Sequence, residues 1–154
     1  MDDVTIARAL HVLAVVIWIG GVAMVTTVLL PAIQRGDLGG HRLEALEAIQ
    51  RRFAWQARAA IAVVGLTGLY MLARLGLWAG FRSAGFWWLH AMVGVWLLFA
   101  LLLFVVEPLF LHRLLQRWAT RRPEAAFAGL RRLHWLLLLL SLVTVGGAVL
   151  GSRG

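Results

Sequence analysis

Four long apolar runs dominate this chain and restrict the structures that it can adopt. They cover about residues 4–33, 54–73, 83–106 and 133–151, and each is nearly free of charged side chains. About 20 apolar residues in a helix cross the hydrocarbon core of a bilayer, where every backbone N–H and C=O must be bonded within the protein. The chain is also 62% hydrophobic, whereas a soluble domain is roughly half apolar. We therefore predict an all-α integral membrane protein.

Short connections between the runs predict an up-and-down four-helix bundle. We expect a single transmembrane domain over residues 1–154, with helices at about 4–30, 54–75, 86–112 and 123–150, the first ending near Pro31. Residues 41–53 alternate apolar and charged side chains at helical spacing. This pattern predicts a short amphipathic interfacial helix in the first cytoplasmic loop, or an inward extension of the second helix. The first run follows two aspartates and is too long for a cleavable signal.

The basic residues predict which way the bundle crosses the membrane. All 15 are arginine, and most of them lie in or beside the first and third loops. Arginine-rich loops face the cytoplasm, which predicts a multi-pass protein of a bacterial-type inner membrane with both termini periplasmic. The basic charge then indicates contact with anionic lipids of the bilayer rather than with nucleic acid. The spacing of Gly147 and Gly151 is typical of close helix contacts and is compatible with a homodimer.

Histidines inside the spans are the best indication of function. His11 and His90 fall near the predicted outer surface, and His112 and His134 near the inner one. A polar ring at such a position is costly and usually has a role. The chain has no cysteine, so imidazole is its strongest metal-ligating group.

The outer pair, His11 and His90, would suit the two axial positions of a b-type haem, which needs no cysteine attachment. Arg8, one turn outside His11, and Arg74, at the same level, could bind the haem propionates. Trp18 lies on the His11 face and could pack on the macrocycle. Glycines that thin the neighbouring helices are Gly20, Gly21, Gly65, Gly68 and Gly94. The alternative is an interfacial imidazole bonded to water or backbone, with glycines serving helix packing.

The inner end offers weaker candidates. His112 and His134 form a candidate second haem or metal site, although an imidazole beside lipid headgroups costs little. Glu107 is the only carboxylate within a span. It could relay protons, pair with Arg58 or Arg113, or simply lie at the interface as a helix-end residue.

Three short segments resemble a known membrane superfamily. Residues 8–21 are similar to the first helix of the protoporphyrinogen oxidase family of the HemJ type and of copper resistance protein D (CopD)-like proteins. Residues 87–90 resemble the tryptophan-leucine-histidine motif of the oxidase's third helix, and residues 65–69 the threonine-glycine-leucine of its second. The resemblance implies a four-helix haem-binding protein in which His11 and His90 match the family histidines. The family's third-helix lysine is Met92 here, and its proline-arginine and histidine at the end of helix one are missing, which implies a diverged member.

Three functions follow as hypotheses, and the residues leave open whether the protein is an enzyme. The leading one is a haem b-binding, b-type cytochrome that transfers electrons between the quinone pool and a redox partner protein. A second is a protoporphyrinogen oxidase-like enzyme with a quinone acceptor. A third is a copper transport or resistance permease, although three scattered methionines without cysteine favour packing over copper binding. A structural subunit of a larger complex is a fourth alternative.

Overall fold

The computed structural model describes residues 2–36, 42–111 and 123–151, and within these ranges it contains helices and no strand. The first helix comprises α1 (Asp3–Met24), a π-helical turn (Val25–Leu29) and α2 (Leu30–Arg35). The others are α3 (Arg42–Arg74), α4 (Trp87–Leu101) with a π-helical continuation (Leu102–Leu111), and α5 (Pro123–Gly151). Two 3-10 turns, Leu77–Arg82 and Ala84–Phe86, connect α3 to α4.

Four stretches are long and apolar enough to cross a membrane. These first to fourth spans are Asp3–Arg35, Arg51–Arg74, Ala84–Leu109 and Phe127–Gly151. In each span, no more than 28% of an 18-residue apolar stretch is buried inside the protein. Most of the apolar surface of the spans therefore needs lipid to cover it. The prediction of an all-α, four-helix membrane protein is confirmed.

The bundle has two ends, which we name by a residue of the first span. The Asp3 end holds Asp3, Arg74, Trp87 and Gly151, and the Arg35 end holds Arg35, Arg51, Leu109 and Phe127. At the Asp3 end, Arg74 Nη2 donates to Asp3 Oδ2 at 2.9 Å. At the Arg35 end, Arg131 Nη1 donates to Gln34 Oε1 at 2.8 Å. These contacts join the first span to the second and fourth in antiparallel order.

The first helix does not end near Pro31, as the sequence predicted. It continues to Arg35 and is capped by Gly36, whose φ of 85° is the left-handed conformation that glycine adopts at helix ends. The π-helical turn lies just before the proline, and Thr26 and Thr27 donate to carbonyls four residues earlier. Such local adjustments and hydroxyl bonds accommodate a proline within a spanning helix.

The amphipathic segment is part of the second helix. Helix α3 begins at Arg42 and runs unbroken to Arg74, so the prediction of a separate interfacial helix is wrong and the inward extension is found. Neither glycine nor proline occurs between residues 42 and 64, so no helix-breaking residue separates the amphipathic part from the apolar part.

Aromatic rings packed on glycines hold the third and fourth spans together at the Asp3 end. The ring of Trp87 lies where a Cβ of Gly147 would be, and Trp88 lies against Gly151 in the same way. The glycine pair that the sequence associated with a homodimer therefore forms a contact within the chain. Small residues allow this close approach of helices in lipid.

Candidate functional site

His11 lies half-buried between the first and second spans. Its Nδ1 is 3.0 Å from Thr67 Oγ1. The Thr67 hydroxyl donates its single hydrogen to Val63 O at 2.6 Å, with Val64 O at 3.2 Å, so Oγ1 accepts from His11 Nδ1–H. The ring is thereby held in the tautomer whose Nε2 carries a lone pair, the form in which imidazole binds a metal.

The neighbour of Thr67 also lies against this ring. A Cβ on Gly68 would be 3.4 Å from His11 Cε1 and 3.8 Å from His11 Nδ1, which is ordinary van der Waals contact. The imidazole therefore packs against the second span at Gly68 while it bonds to Thr67.

His90 lies on the first turn of α4 and is exposed. Its Nδ1 is 3.1 Å from Phe86 O, and its Nε2 is 3.1 Å from Phe81 O. The Phe81 ring also packs edge-on against it, with centroids 5.3 Å apart. Carbonyl oxygens only accept, and a neutral imidazole has one N–H, so the neutral ring can bond to one of these carbonyls at a time.

The structure places both imidazoles toward the Asp3 end but on different partners. His11 bonds to the second span, whereas His90 bonds to the turns that connect the second and third spans. Neither Thr67 nor Phe81 could have been identified from the sequence as a histidine partner, because each contact depends on how two elements pack. The only indication in the sequence was that Thr67 and Gly68 lie within residues 65–69, the segment that resembles the second-helix motif of the oxidase family.

The other residues predicted for the haem site have varied surroundings. Trp18 is 4% exposed and packs edge-on against Phe99 at 4.7 Å, and its buried Nε1 has no hydrogen-bond partner among the described residues. Arg74 is paired with Asp3, whose Oδ2 also accepts from Tyr70 OH at 2.6 Å. Arg8 is exposed.

The five glycines predicted to thin the neighbouring helices have three kinds of surroundings. Phe53 covers Gly21, and Trp96 covers Gly65 while donating from Nε1 to Ile61 O at 2.9 Å. Gly21 and Gly65 therefore serve helix packing, as the alternative interpretation of the sequence proposed. A Cβ on Gly20 or Gly94 would meet nothing within 4 Å, and one on Gly68 would make ordinary van der Waals contact with His11.

Of the inner pair, only His134 is among the described residues. His134 is half-buried, and its Nδ1 lies 2.9 Å from Leu130 O. His112 and His41 lie outside the described residues, so a second site built from His112 and His134 stays a prediction. Within residues 2–36, 42–111 and 123–151, no group of three or more His, Cys, Asp or Glu could hold a metal ion.

An ion pair joins the second and third spans nearer the Arg35 end. Arg58 Nη2 lies 3.1 Å from Glu107 Oε2, and Arg58 Nε donates to Leu103 O at 2.9 Å. Of the alternatives for Glu107, the pairing with Arg58 is the one found, and Arg113 lies outside the described residues. In a π-helix each N–H bonds to the carbonyl five residues earlier. Pro108 has no N–H, so Leu103 O lacks its helical donor and Arg58 replaces it.

Compared with models of known protein families, with curated proteins and with solved structures, the chain matches none.

Proposed function

We propose that this protein is a haem b-binding membrane protein, with Nε2 of His11 and of His90 as the iron ligands. The observation that supports it most is the Nδ1 bond of His11 to Thr67, which keeps Nε2 unprotonated. Ligating histidines typically donate their other ring N–H in this way.

His90 fits the same role in one of its two tautomers. With its hydrogen on Nδ1, it donates to Phe86 O and turns the Nε2 lone pair toward Phe81 O, which cannot donate to it. Two facing acceptors repel each other, so it would be favourable for Nε2 to turn away from Phe81 O and bind a Lewis acid such as the haem iron. Binding would therefore require the ring to leave Phe81 while its bond to Phe86 persists.

A bound haem would supply one-electron transfer. The chain's own residues would hold the two imidazole tautomers, and Arg8 lies one turn outside His11 to bind a propionate. We further propose a bacterial-type inner membrane, periplasmic termini, and electron exchange between the quinone pool and a redox partner protein. The uneven distribution of arginine supports this orientation.

The test is haem content in the full chain, expressed with ample haem and purified in detergent. We expect a Soret band and a reducible b-type spectrum in the wild type, and loss of most haem in His11→Ala. Ser141→Ala is the control, because Ser141 is also a polar side chain inside a span that bonds to a backbone carbonyl, it belongs to no predicted haem site, and the variant should retain haem.

Two outcomes would reject the proposal. One is a folded, colourless wild-type protein, and copper in stoichiometric amount in that sample would favour the permease alternative. The other is equal haem content in the wild type and in the His11→Ala, His90→Ala double variant.

A further inference from the structure

A groove on the outer surface of the fourth span combines charge with apolar surface. It has a volume of about 440 Å³ and is lined by Arg131, Arg132, Trp135, Leu136 and Leu139. All five residues are exposed, with Trp135 at 41%, Leu136 at 65% and Leu139 at 52%. Two of the five lining side chains are cationic and none is acidic.

The lining residues are ordered along the membrane normal. Arg131 and Arg132 lie about one turn inside the start of the fourth span at Phe127, and Leu139 lies deeper by a rise of roughly 12 Å. Trp135 falls between them, at the depth where tryptophan is enriched near membrane interfaces. The groove thus changes from cationic to aromatic to aliphatic toward the bilayer centre.

One arginine of the groove is anchored to another span. Arg131 Nη1 donates to Gln34 Oε1 at 2.8 Å, which uses one of the five N–H donors of a guanidinium. The bond fixes the position of the group, so less side-chain freedom is lost when a further acceptor binds.

We propose that this groove binds one anionic phospholipid. The phosphate accepts from Arg131 and Arg132, and an acyl chain lies along Trp135, Leu136 and Leu139. A phospholipid carries its charge and its hydrocarbon in the same order as the groove. A soluble anion would leave the aliphatic part of the groove unused, and an acidic protein would have to enter the hydrocarbon region to cover it.

The test is native mass spectrometry of the full chain titrated with phosphatidylglycerol or phosphatidylcholine. We expect one phosphatidylglycerol to bind about tenfold or more tightly than phosphatidylcholine, and this preference to disappear in Arg131→Gln, Arg132→Gln. The control is Arg51→Gln, Arg52→Gln, which removes two exposed adjacent arginines at the same end of the bundle and should retain the preference.

If the double variant does not fold, Arg132→Gln alone keeps the Arg131–Gln34 bond and should still weaken phosphatidylglycerol binding severalfold. Equal lipid preference in the wild type and the folded groove variants would overturn the proposal. So would displacement of the lipid by inorganic phosphate at similar concentration, which would indicate a phosphate site, or binding of an acidic peptide with no lipid preference.

Discussion

At the scale of single residues, hydrogen bonds to Nδ1 determine what each histidine can do. His11 and His134 both have Nδ1 on an acceptor of a neighbouring turn or span, and His90 has an acceptor at each nitrogen. The sequence indicated which histidines lie in spans, because a ring within an apolar run is visible as such. It could not indicate tautomers, because these depend on contacts such as that between His11 and Thr67, 56 positions apart.

Thr67→Val tests the role assigned to the threonine. Valine has nearly the same shape but cannot accept from His11 Nδ1, so the ring loses the bond that fixes its tautomer. We expect roughly 10–100-fold weaker haem affinity, the usual cost of losing such a partner. Haem titration of the apoprotein measures this.

Thr27→Val is the control, because Thr27 also donates to the carbonyl four residues earlier but lies elsewhere. Equal haem affinity in the Thr67→Val and Thr27→Val proteins would show that Thr67 does not support the ligand.

The ion pair between Arg58 and Glu107 gives a second prediction at this scale. Arg58→Met leaves both Glu107 and Leu103 O without their donor inside the span, whereas Glu107→Gln leaves the Leu103 bond in place. Arg58 and Glu107 are partly buried, with side chains 29% and 26% exposed, and leaving such groups without their hydrogen-bond donor costs about 1–3 kcal/mol. We therefore expect Arg58→Met to reduce the free energy of unfolding by about that amount, and Glu107→Gln to reduce it less.

Unfolding by sodium dodecyl sulfate in mixed micelles measures the free energy of unfolding of both variants. Arg58→Met, Glu107→Leu should recover part of the lost stability, because no unpaired charge remains in the span. A larger loss in Glu107→Gln than in Arg58→Met would contradict the role of Arg58 as donor to Leu103.

At the scale of elements, the apolar runs predicted the spans well but not their ends or irregularities. Run length predicts a span because lipid requires each backbone group to be bonded within the helix. One π-helical segment precedes Pro31 and the other contains Pro108. Their geometry depends on which group replaces the N–H that proline lacks. In the third span the replacement donor is Arg58, which lies on another helix. The hydrophobicity of the third span therefore does not predict it. The same limit applies to the glycine pair of α5, whose partners Trp87 and Trp88 are on α4.

Gly147→Ala tests that contact. A methyl group there would overlap the Trp87 ring, and extra volume in a packed contact typically costs about 1–3 kcal/mol. Gly146→Ala is the matched control, because a Cβ on Gly146 meets nothing within 4 Å, and alanine favours a helix over glycine.

Thermal unfolding in detergent should show Gly147→Ala destabilised and Gly146→Ala unchanged or slightly stabilised. If Gly147→Ala changed only the oligomeric state and not the unfolding of the chain, the glycine pair would belong to a contact between copies.

At the scale of the whole molecule, the uneven arginines predict an orientation that the bundle itself does not reveal. The antiparallel order shows that Asp3, Gly151 and the loop between the second and third spans share one face of the membrane, but not which face it is. The absence of cysteine makes this easy to test with single substitutions. Ser83→Cys lies in the loop at the Asp3 end and Ala48→Cys on α3 near the Arg35 end, and both positions are exposed.

A membrane-impermeant maleimide should label Ser83→Cys in cells with a permeabilised outer membrane, and Ala48→Cys only after lysis. The reverse labelling pattern would place the termini in the cytoplasm.

The most direct test of the central claim is the electron paramagnetic resonance spectrum of the oxidised, haem-loaded protein. Two imidazole ligands make the iron six-coordinate and low-spin, so the wild type should be low-spin and His90→Ala should become high-spin while retaining some haem. A high-spin wild type, or a low-spin spectrum unchanged in His90→Ala, would show that His11 and His90 do not bind the same iron.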